Sequence, residues 1–264
     1  MYNFDYEKAA SADDAVKTAG GGDDVMFLAG GMTLIPTLKL RLAGPEKVVD
    51  VGSIDALKGI EVSGDTVKIG AAATHAEVAA SADVKKAIPA LAKLAGLIGD
   101  AQVRNRGTIG GSIANADPAA DYPAAIVGLG ATVITTKREI AGDDFFTAMF
   151  ETALEPGELI TAVSFPVPTG ADYQKLANPA SGYAMVGVMV AKTGGGVRVG
   201  VTGAGPSAFR ATAIEEALSK DFSADTANSV KMPADDLNND LHATAEYRAS
   251  VISVLAGRAA AAIG

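Results

Sequence analysis

The sequence predicts an α+β fold made of three consecutive units. Strands and helices are mixed up to about residue 168, whereas the remainder predicts three strands followed by three helices. The second pattern is typical of an antiparallel sheet with helices packed on one face. Because Pro166 and Pro168 mark the last boundary, the expected units are residues 1–55, 56–168 and 169–264.

The first unit predicts a strand, a glycine-bearing segment and a helix in direct succession. Ser11 precedes one helix and the glycines at 20–22 follow it, which are usual residues at helix starts and ends. The expected elements are a strand at 2–7, a helix at 12–19, a buried strand at 25–28, a helix at 33–42 and a strand at 47–51.

The second and third units are predicted from a hairpin turn, a helical pattern and alternating strands. Ser63-Gly64-Asp65 is a turn-forming triplet, and Pro89 interrupts a long helical pattern, for which we expect a kink. The second unit should hold strands at 59–62, 66–70, 131–136 and 159–167 and helices at 81–98 and 122–129. The third should hold strands at 173–176, 184–191 and 197–203 and helices at 211–220, 224–230 and 243–263.

Composition and charge narrow the class of function. Hydrophobic residues make up 48% of the 264-residue chain and charged residues 20%, as in globular proteins with a sizeable core. The formal net charge of −9 argues against a nucleic-acid partner, which requires a basic face. The chain has no cysteine, which excludes disulfides, iron–sulfur ligands and thiolate zinc sites within it. The two histidines, His75 and His242, are too isolated to suggest a metal site.

The chain shows no pattern of a targeting or membrane segment. Its first residues lack the basic and apolar regions of a secretory signal. No stretch is apolar over the length that a membrane-spanning helix needs. We therefore expect a cytoplasmic protein without a transmembrane segment.

Two glycine-bearing segments predict a site for a dinucleotide pyrophosphate. Glycine amides can approach a phosphate closely because no Cβ intervenes, and Thr33, Thr108 and Ser112 add hydroxyl groups at the same places. Each glycine pair, taken alone, could also be a tight turn without a ligand. Neither segment has the spacing of a Rossmann fingerprint or of a P-loop. The ligand is therefore expected to be held by two separate loops.

Seven pieces of the chain resemble, in the same order, the flavin subunit of the molybdenum hydroxylases, the family that includes carbon monoxide dehydrogenases and xanthine dehydrogenases. The longest is GDAQVRNRGTIGGSIANADPAADYPAA at 99–125, and the others lie at 29–42, 70–78, 144–161, 173–188, 201–211 and 245–260. This resemblance implies an FAD-binding domain of the vanillyl-alcohol-oxidase (PCMH) type in two α+β subdomains, followed by a smaller C-terminal domain.

The resemblance also assigns residues to a non-covalently bound FAD. Asp121 would accept a hydrogen bond from a ribose hydroxyl, Ile160 would pack on the isoalloxazine, and Lys175 would lie near the flavin ring and favour its reduced anionic form. Tyr183 would cover the ring edge, and Asn115 would either form a turn or contact the flavin. The pyrophosphate would be bound by Ala29, Gly30, Gly31, Met32, Thr33, Leu34, Gly107, Thr108, Ile109, Gly110, Gly111 and Ser112.

Four features of the sequence qualify these assignments. Met32 stands where other members often have a polar residue, so only backbone contacts are expected there. The absence of cysteine disfavours the branch of the family that reduces aromatic CoA thioesters with an additional iron–sulfur cluster. His75 is expected to bond to loop backbone rather than to act as a base, and Asp117 is expected to begin a turn or cap a helix at Pro118 rather than to bind the ligand.

The function implied by the resemblance is electron transfer. A large partner subunit would hold the molybdenum cofactor and oxidise the substrate, and a small partner with two [2Fe-2S] clusters would relay electrons to this flavin, within a dimer of heterotrimers. NAD⁺, a quinone or oxygen would be the final acceptor, and no residue of this chain would act on the substrate. A free-standing FAD-dependent oxidase and a flavin-free assembly subunit are the alternatives.

Overall fold

A three-stranded parallel sheet forms from the first part of the chain. The computed structural model describes residues 1–22 and 24–264. The elements are β1 (Asp5–Lys8), α1 (Ala12–Ala19), β2 (Val25–Leu28), α2 (Leu34–Lys39) and β3 (Lys47–Asp50). The strand order is β1-β3-β2, so β3 lies in the centre and the β2–α2 connection leaves the sheet at one end. Ser11 caps α1 by accepting a hydrogen bond from the Asp14 amide, as the sequence predicts.

A five-stranded antiparallel sheet and a group of short helices form the second region. The strand order is β4-β5-β10-β6-β7, with β10 in the centre. The elements are β4 (Ile60–Ser63), β5 (Thr66–Gly70), α3 (His75–Ala80), α4 (Ala82–Ala87), α5 (Pro89–Gly96), α6 (Ala101–Arg104), α7 (Ile109–Asn115), α8 (Tyr122–Gly128), β6 (Thr132–Thr135), β7 (Glu139–Ala141), α9 (Gly142–Phe145), β8 (Phe146–Ala148), β9 (Glu151–Thr152) and β10 (Ile160–Pro166).

Two of the elements predicted for this region differ from those observed. The long helix expected over 81–98 is two helices, because Ile88 leaves the helical conformation and Pro89 starts α5 at its first position. The second glycine-bearing segment is not a loop, since Ile109 begins α7 and the Gly110–Gly111 pair lies in its first turn.

The third region is an antiparallel sheet covered by helices, as predicted, but it has a fourth, short strand that the sequence did not predict. Its strand order is β11-β12-β13-β14. The elements are β11 (Gly170–Ala177), β12 (Ala184–Thr193), β13 (Gly196–Thr202), β14 (Phe209–Arg210), α10 (Thr212–Lys220), α11 (Ala224–Ser229) and α12 (Ala245–Ile263). The predicted α+β fold class is therefore confirmed.

The hydrophobic core joins the second and third regions. Tyr173 and Met189, both fully buried, belong to the same apolar cluster as Val67, Ile113 and Phe165 of the second region. A second cluster lies between the third sheet and its helices, and a third lies under the first sheet. The third region is thus packed against the second, which places β11 and β12 beside the segment before α8.

Within the residues that the structure describes, no helix combines the length and the apolar composition needed to cross a bilayer.

Candidate functional site

A cleft of about 900 Å³ runs between the first two regions and reaches the third. Its walls come from the β2–α2 connection, the start of α7, the start of β10 and the loop before β12. Every residue predicted for the cofactor lines this cleft except Ile109 and Lys175. Segments that are far apart in sequence therefore meet at one concave surface, as binding sites for small molecules usually require.

The first glycine-bearing segment presents a row of unbonded backbone amides to the cleft. Among the described residues, the amides of Gly30 through Leu34 have no hydrogen-bond acceptor, while the carbonyls of Gly31 and Thr33 accept from α2. Gly31 has φ +73°, a left-handed conformation that favours glycine. Successive free N–H groups in a turn of this kind form an anion-binding concavity.

The second glycine-bearing segment corrects part of the prediction. The amides of Gly107, Ile109 and Gly110 already donate to the carbonyls of Val103, Ala73 and Ala71, at 2.7, 3.1 and 2.9 Å. The Gly111 amide donates to the Thr108 hydroxyl, which caps α7. These amides are therefore engaged within the protein and are not free for a phosphate.

The glycines of the second segment instead permit close packing. A Cβ at Gly110 would lie 2.6 Å from the Cβ of Ala71, and a Cβ at Gly107 would lie 2.6 Å from Nε2 of His75. Ile109 lies fully buried in the core. Among the described residues, the Thr108 amide and the Ser112 hydroxyl have no hydrogen-bond partner.

The segment 117–121 is held from the third region. The Gly203 amide and the Thr202 hydroxyl both donate to the Pro118 carbonyl, at 2.7 and 2.9 Å. The Thr202 hydroxyl also reaches the Ala120 carbonyl at 2.6 Å, and the Ala184 amide donates to Ala119. Asp117 accepts from the Ala119 amide, which confirms the predicted turn.

Asp121, at the end of this segment, is a buried carboxylate with two donors. Its Oδ1 accepts from the Tyr173 hydroxyl at 2.6 Å, and its Oδ2 accepts from Nζ of Lys175 at 2.9 Å. Burial raises the pKa of Asp121, while Lys175 and Tyr173 act in the opposite direction. Since a carboxylate offers about four acceptor positions, two remain for a ligand in the cleft.

Lys175 lies behind Asp121 and does not line the cleft. Its side chain is 4% exposed, and its Nζ also donates to the Leu97 carbonyl at 3.2 Å. The Asp121 charge compensates the lysine charge within the protein. Any effect of Lys175 on a bound flavin would therefore depend on the charge of Asp121 as well.

Three other predicted residues lie at separate parts of the cleft. Ile160 is 4% exposed at the start of β10, where it forms part of an apolar wall with Leu159. Tyr183 is half exposed in the loop before β12, and burial raises its pKa, with Asp117 and Asp121 adding to the effect. Asn115 ends α7 and is half-buried.

His75 lines the cleft, and its side chain does not bond to loop backbone as expected. Among the described residues its Nδ1 is buried without a partner, and its ring lies 5.4 Å from that of Tyr122, centroid to centroid. Burial, with a further effect from Arg104, lowers the pKa of His75 from 6.5 to about 4. His75 is therefore a neutral imidazole at neutral pH.

Sequence reasoning missed two residues that support the cleft. Glu158 is a buried carboxylate in the wall, and Tyr173 bonds to Asp121. Tyr173 and Lys175 are two residues apart on β11 and so lie on one face of the strand, a spacing that could have suggested a shared partner.

In residues 1–22 and 24–264, no group of three or more His, Asp or Glu side chains could hold a metal ion.

A family described as the FAD binding domain in molybdopterin dehydrogenase matches residues 2–168. The chain belongs to this family. The expected cofactor, FAD, and the expected class, an oxidoreductase subunit, are thereby confirmed.

Known relatives of this FAD-binding chain are similar over nearly their whole length. The glyceraldehyde dehydrogenase medium chain of Sulfolobus acidocaldarius is 33% identical, with 97% of this chain and 96% of the relative covered. The carbon monoxide dehydrogenase medium chain of Hydrogenophaga pseudoflava is 35% identical, with 97% and 95% covered. A solved structure of carbon monoxide dehydrogenase from Hydrogenophaga pseudoflava superposes with a TM-score of 0.89 at 35% identity, covering 99% of this chain and 97% of that chain.

Proposed function

We propose that this chain is the electron-transfer flavoprotein subunit of a cytoplasmic molybdenum hydroxylase. When bound, FAD supplies the chemistry of taking electrons from [2Fe-2S] clusters of a small partner and passing them to an external acceptor. A large partner would hold the molybdenum cofactor and oxidise the substrate, in a dimer of heterotrimers. The absence of cysteine in the chain supports this division, since iron–sulfur clusters need thiolate ligands from elsewhere.

The observation that carries the proposal is the row of free amides from Gly30 to Leu34, which lies in the wall of the cleft. These amides would bind the pyrophosphate without a lysine or a metal, because oriented N–H groups form an anion cradle. Thr108 and Ser112 would approach the same group from the opposite wall. Ala29, Gly107, Gly110 and Gly111 would contribute close backbone packing there.

The remaining predicted residues would hold the two ends of the cofactor. Asp121 would accept from the ribose, Ile160 would pack against the isoalloxazine, and Tyr183 and Asn115 would lie at its edge. Lys175 would act through Asp121. We also propose that the three units 1–55, 56–168 and 169–264 are the subdomains of the site, since each of the three larger sheets lies within one of them.

The relatives support a role in electron transfer over a role in substrate oxidation. One is named for glyceraldehyde and another for carbon monoxide, yet both are about one third identical to this chain over nearly its full length. A subunit that served such different compounds with one cleft would not be the one that selects the substrate. We infer that the substrate is chosen by the large partner.

The test is to identify the cofactor and the associated metals. The purified chain, with added FAD, should show a flavin absorption spectrum, and acid precipitation should release free FAD into the supernatant. Molybdenum and iron should copurify with the natively isolated complex. Bound FAD without molybdenum and iron in the native preparation would favour a free-standing oxidase. No FAD in either preparation would favour a flavin-free assembly subunit.

A further inference from the structure

The hydroxyl of Tyr173 is placed on the cleft carboxylate by two strands of the third region. Tyr173 is fully buried on β11, and its hydroxyl donates to Oδ1 of Asp121 at 2.6 Å. Gly187 lies opposite Lys175 on β12. A Cβ at Gly187 would overlap the Tyr173 hydroxyl. The glycine therefore leaves the space that the hydroxyl occupies.

A second buried tyrosine shows that a tyrosine can be buried in this part of the core without a hydrogen bond to its hydroxyl. Tyr122 follows Asp121 in sequence and is also fully buried. Among the described residues, its hydroxyl has no hydrogen-bond partner. The neighbouring core thus accommodates an unbonded hydroxyl, whereas the Tyr173 hydroxyl is directed at a carboxylate that lines the cleft.

Burying a carboxylate costs free energy unless it is bonded and paired. Asp121 is 5% exposed and lies in the cleft wall. If this residue served only the stability of the fold, an apolar side chain would serve better. The Lys175 ammonium bonds to Oδ2 and the Tyr173 hydroxyl to Oδ1, so the two donors fix both oxygens. The carboxylate plane is therefore set by residues of the third region.

We propose that Tyr173 is a positioning residue of the FAD site, which holds the Asp121 carboxylate in the orientation that the cofactor's ribose requires. This inference rests on the proposed function. Tyr173 would not touch the cofactor, since it does not line the cleft. It would act by keeping one oxygen engaged and leaving the remaining acceptor positions of Asp121 for the ligand.

The hydroxyl also bears on the charge of Asp121. Its hydrogen bond lowers the pKa of a carboxyl whose pKa burial raises. Without the hydroxyl, Asp121 would gain a proton at a higher pH. The titratable groups around Asp121 are Tyr122 on its own helix, Tyr173 and Lys175 on β11, and Tyr183 and Asp117 in the adjoining loops.

The test is FAD titration of the whole chain as Tyr173→Phe, with Tyr122→Phe as the matched control. Loss of one hydrogen bond to a charged group predicts about tenfold weaker FAD binding for Tyr173→Phe. The pH below which FAD affinity declines should also move upward. Tyr122→Phe should bind FAD like the wild type, with the wild-type pH profile.

A double-mutant cycle separates positioning from general stability. In an Asp121→Asn background, Tyr173→Phe should change FAD affinity by less than about twofold, because the hydroxyl acts through the carboxylate. Gly187→Ala is a second probe, which displaces the hydroxyl without removing it and should also weaken FAD binding. Equal losses in both backgrounds, or wild-type affinity and pH profile in Tyr173→Phe, would overturn the inference. Failure of the wild-type chain to bind FAD would instead count against the proposed function.

Discussion

Gly30 and Arg106 bring the two glycine-bearing segments into direct backbone contact. A Cβ at residue 30 would overlap the Arg106 carbonyl oxygen and approach Cα of Gly107 to 2.9 Å. The free amides that begin at Gly30 are thereby fixed beside the start of α7. The absence of a side chain at residue 30 thus sets the geometry of the cleft itself.

Gly30→Ala should therefore abolish FAD binding while the rest of the fold survives. The methyl group meets backbone, which cannot move aside as a flexible side chain can, so the segments must separate. We expect at least a hundredfold loss of FAD affinity and a loss of unfolding free energy of about 1–3 kcal/mol. FAD titration and urea denaturation measure the two effects.

Gly194→Ala is the matched control for this substitution. Gly194 lies in the turn between β12 and β13, and a Cβ there would meet nothing within 4 Å. This variant should bind FAD normally. Similar affinities for the two alanine variants would show that the contact with Arg106 does not define the site.

The pKa of His75 predicts a dependence of stability on pH. Since the folded chain lowers this pKa from 6.5 to about 4, it binds the proton less well than the unfolded chain does. The contribution of His75 to the free energy of unfolding is complete above pH 6.5. It is lost as the pH falls towards 4, by roughly 3 kcal/mol in total. His75→Gln should remove this part of the dependence.

Urea denaturation across this pH range tests the prediction, followed by circular dichroism because the chain has no tryptophan. The difference in unfolding free energy between wild type and His75→Gln should shrink as pH falls. His242→Gln, at an exposed position, should keep the wild-type profile. A constant difference between wild type and His75→Gln would show that His75 does not remain neutral in the fold.

Most of the strands and the cleft-lining segments could be predicted from local patterns. Alternation and turn residues located the longer strands of the antiparallel sheets but not the short β7, β8, β9 and β14, and glycines located both segments of the cleft. The helix α7 could not be predicted in this way, because two glycines in its first turn disfavour a helix locally. Packing of Gly110 against Ala71 outweighs that preference. Thr74 and Glu77 form a capping box, a sequence signal that could have predicted the start of α3.

The ion pair between Asp121 and Lys175 could not be predicted from the sequence. Lys175 and Asp121 are separated by 54 residues, and no periodicity relates them. Only the packing of the third sheet against the second region brings them together. The resemblance to a known family placed Lys175 near the flavin, but it gave no indication that its charge is compensated.

This compensation changes the expected effect of Lys175→Met on the flavin potential. Removing the ammonium leaves the Asp121 carboxylate unpaired beside the cleft. At high pH its negative charge should disfavour reduction by about 1–2 kcal/mol, which is about 30 mV for a two-electron couple. At low pH, where Asp121 is protonated, the variant should approach the wild-type potential.

Redox titration of the FAD-loaded chain at several pH values measures this effect. Lys93→Met is the control, because Lys93 also pairs with an aspartate, Asp172, at 2.8 Å but lies outside the cleft. It should leave the potential unchanged at every pH. If Lys175→Met behaved like Lys93→Met throughout, the pair would have no influence on the flavin.

Glu158 anchors the apolar wall of the cleft, and its removal should loosen that wall. Its side chain is fully buried and accepts from the Thr135 hydroxyl at 2.6 Å, the Glu155 amide at 2.8 Å and the Arg138 guanidinium at 3.2 Å. Glu158→Ala removes these hydrogen bonds and leaves the Glu155 amide without its acceptor, which should cost about 2–3 kcal/mol of unfolding free energy. FAD affinity should fall as well, because Leu159 and Ile160 follow directly in the wall.

Glu155→Ala is the control for Glu158→Ala, because it removes the same charge from an exposed side chain in place of a buried one. Glu155 pairs with Lys137 at 2.9 Å, but its side chain is 56% exposed, so Glu155→Ala should cost less than about 1 kcal/mol. Both variants remove one negative charge from the same loop. Urea denaturation and FAD titration of the two should therefore differ clearly. Equal losses would mean that the loop responds to its net charge, and that the buried hydrogen bonds of Glu158 do not hold the wall.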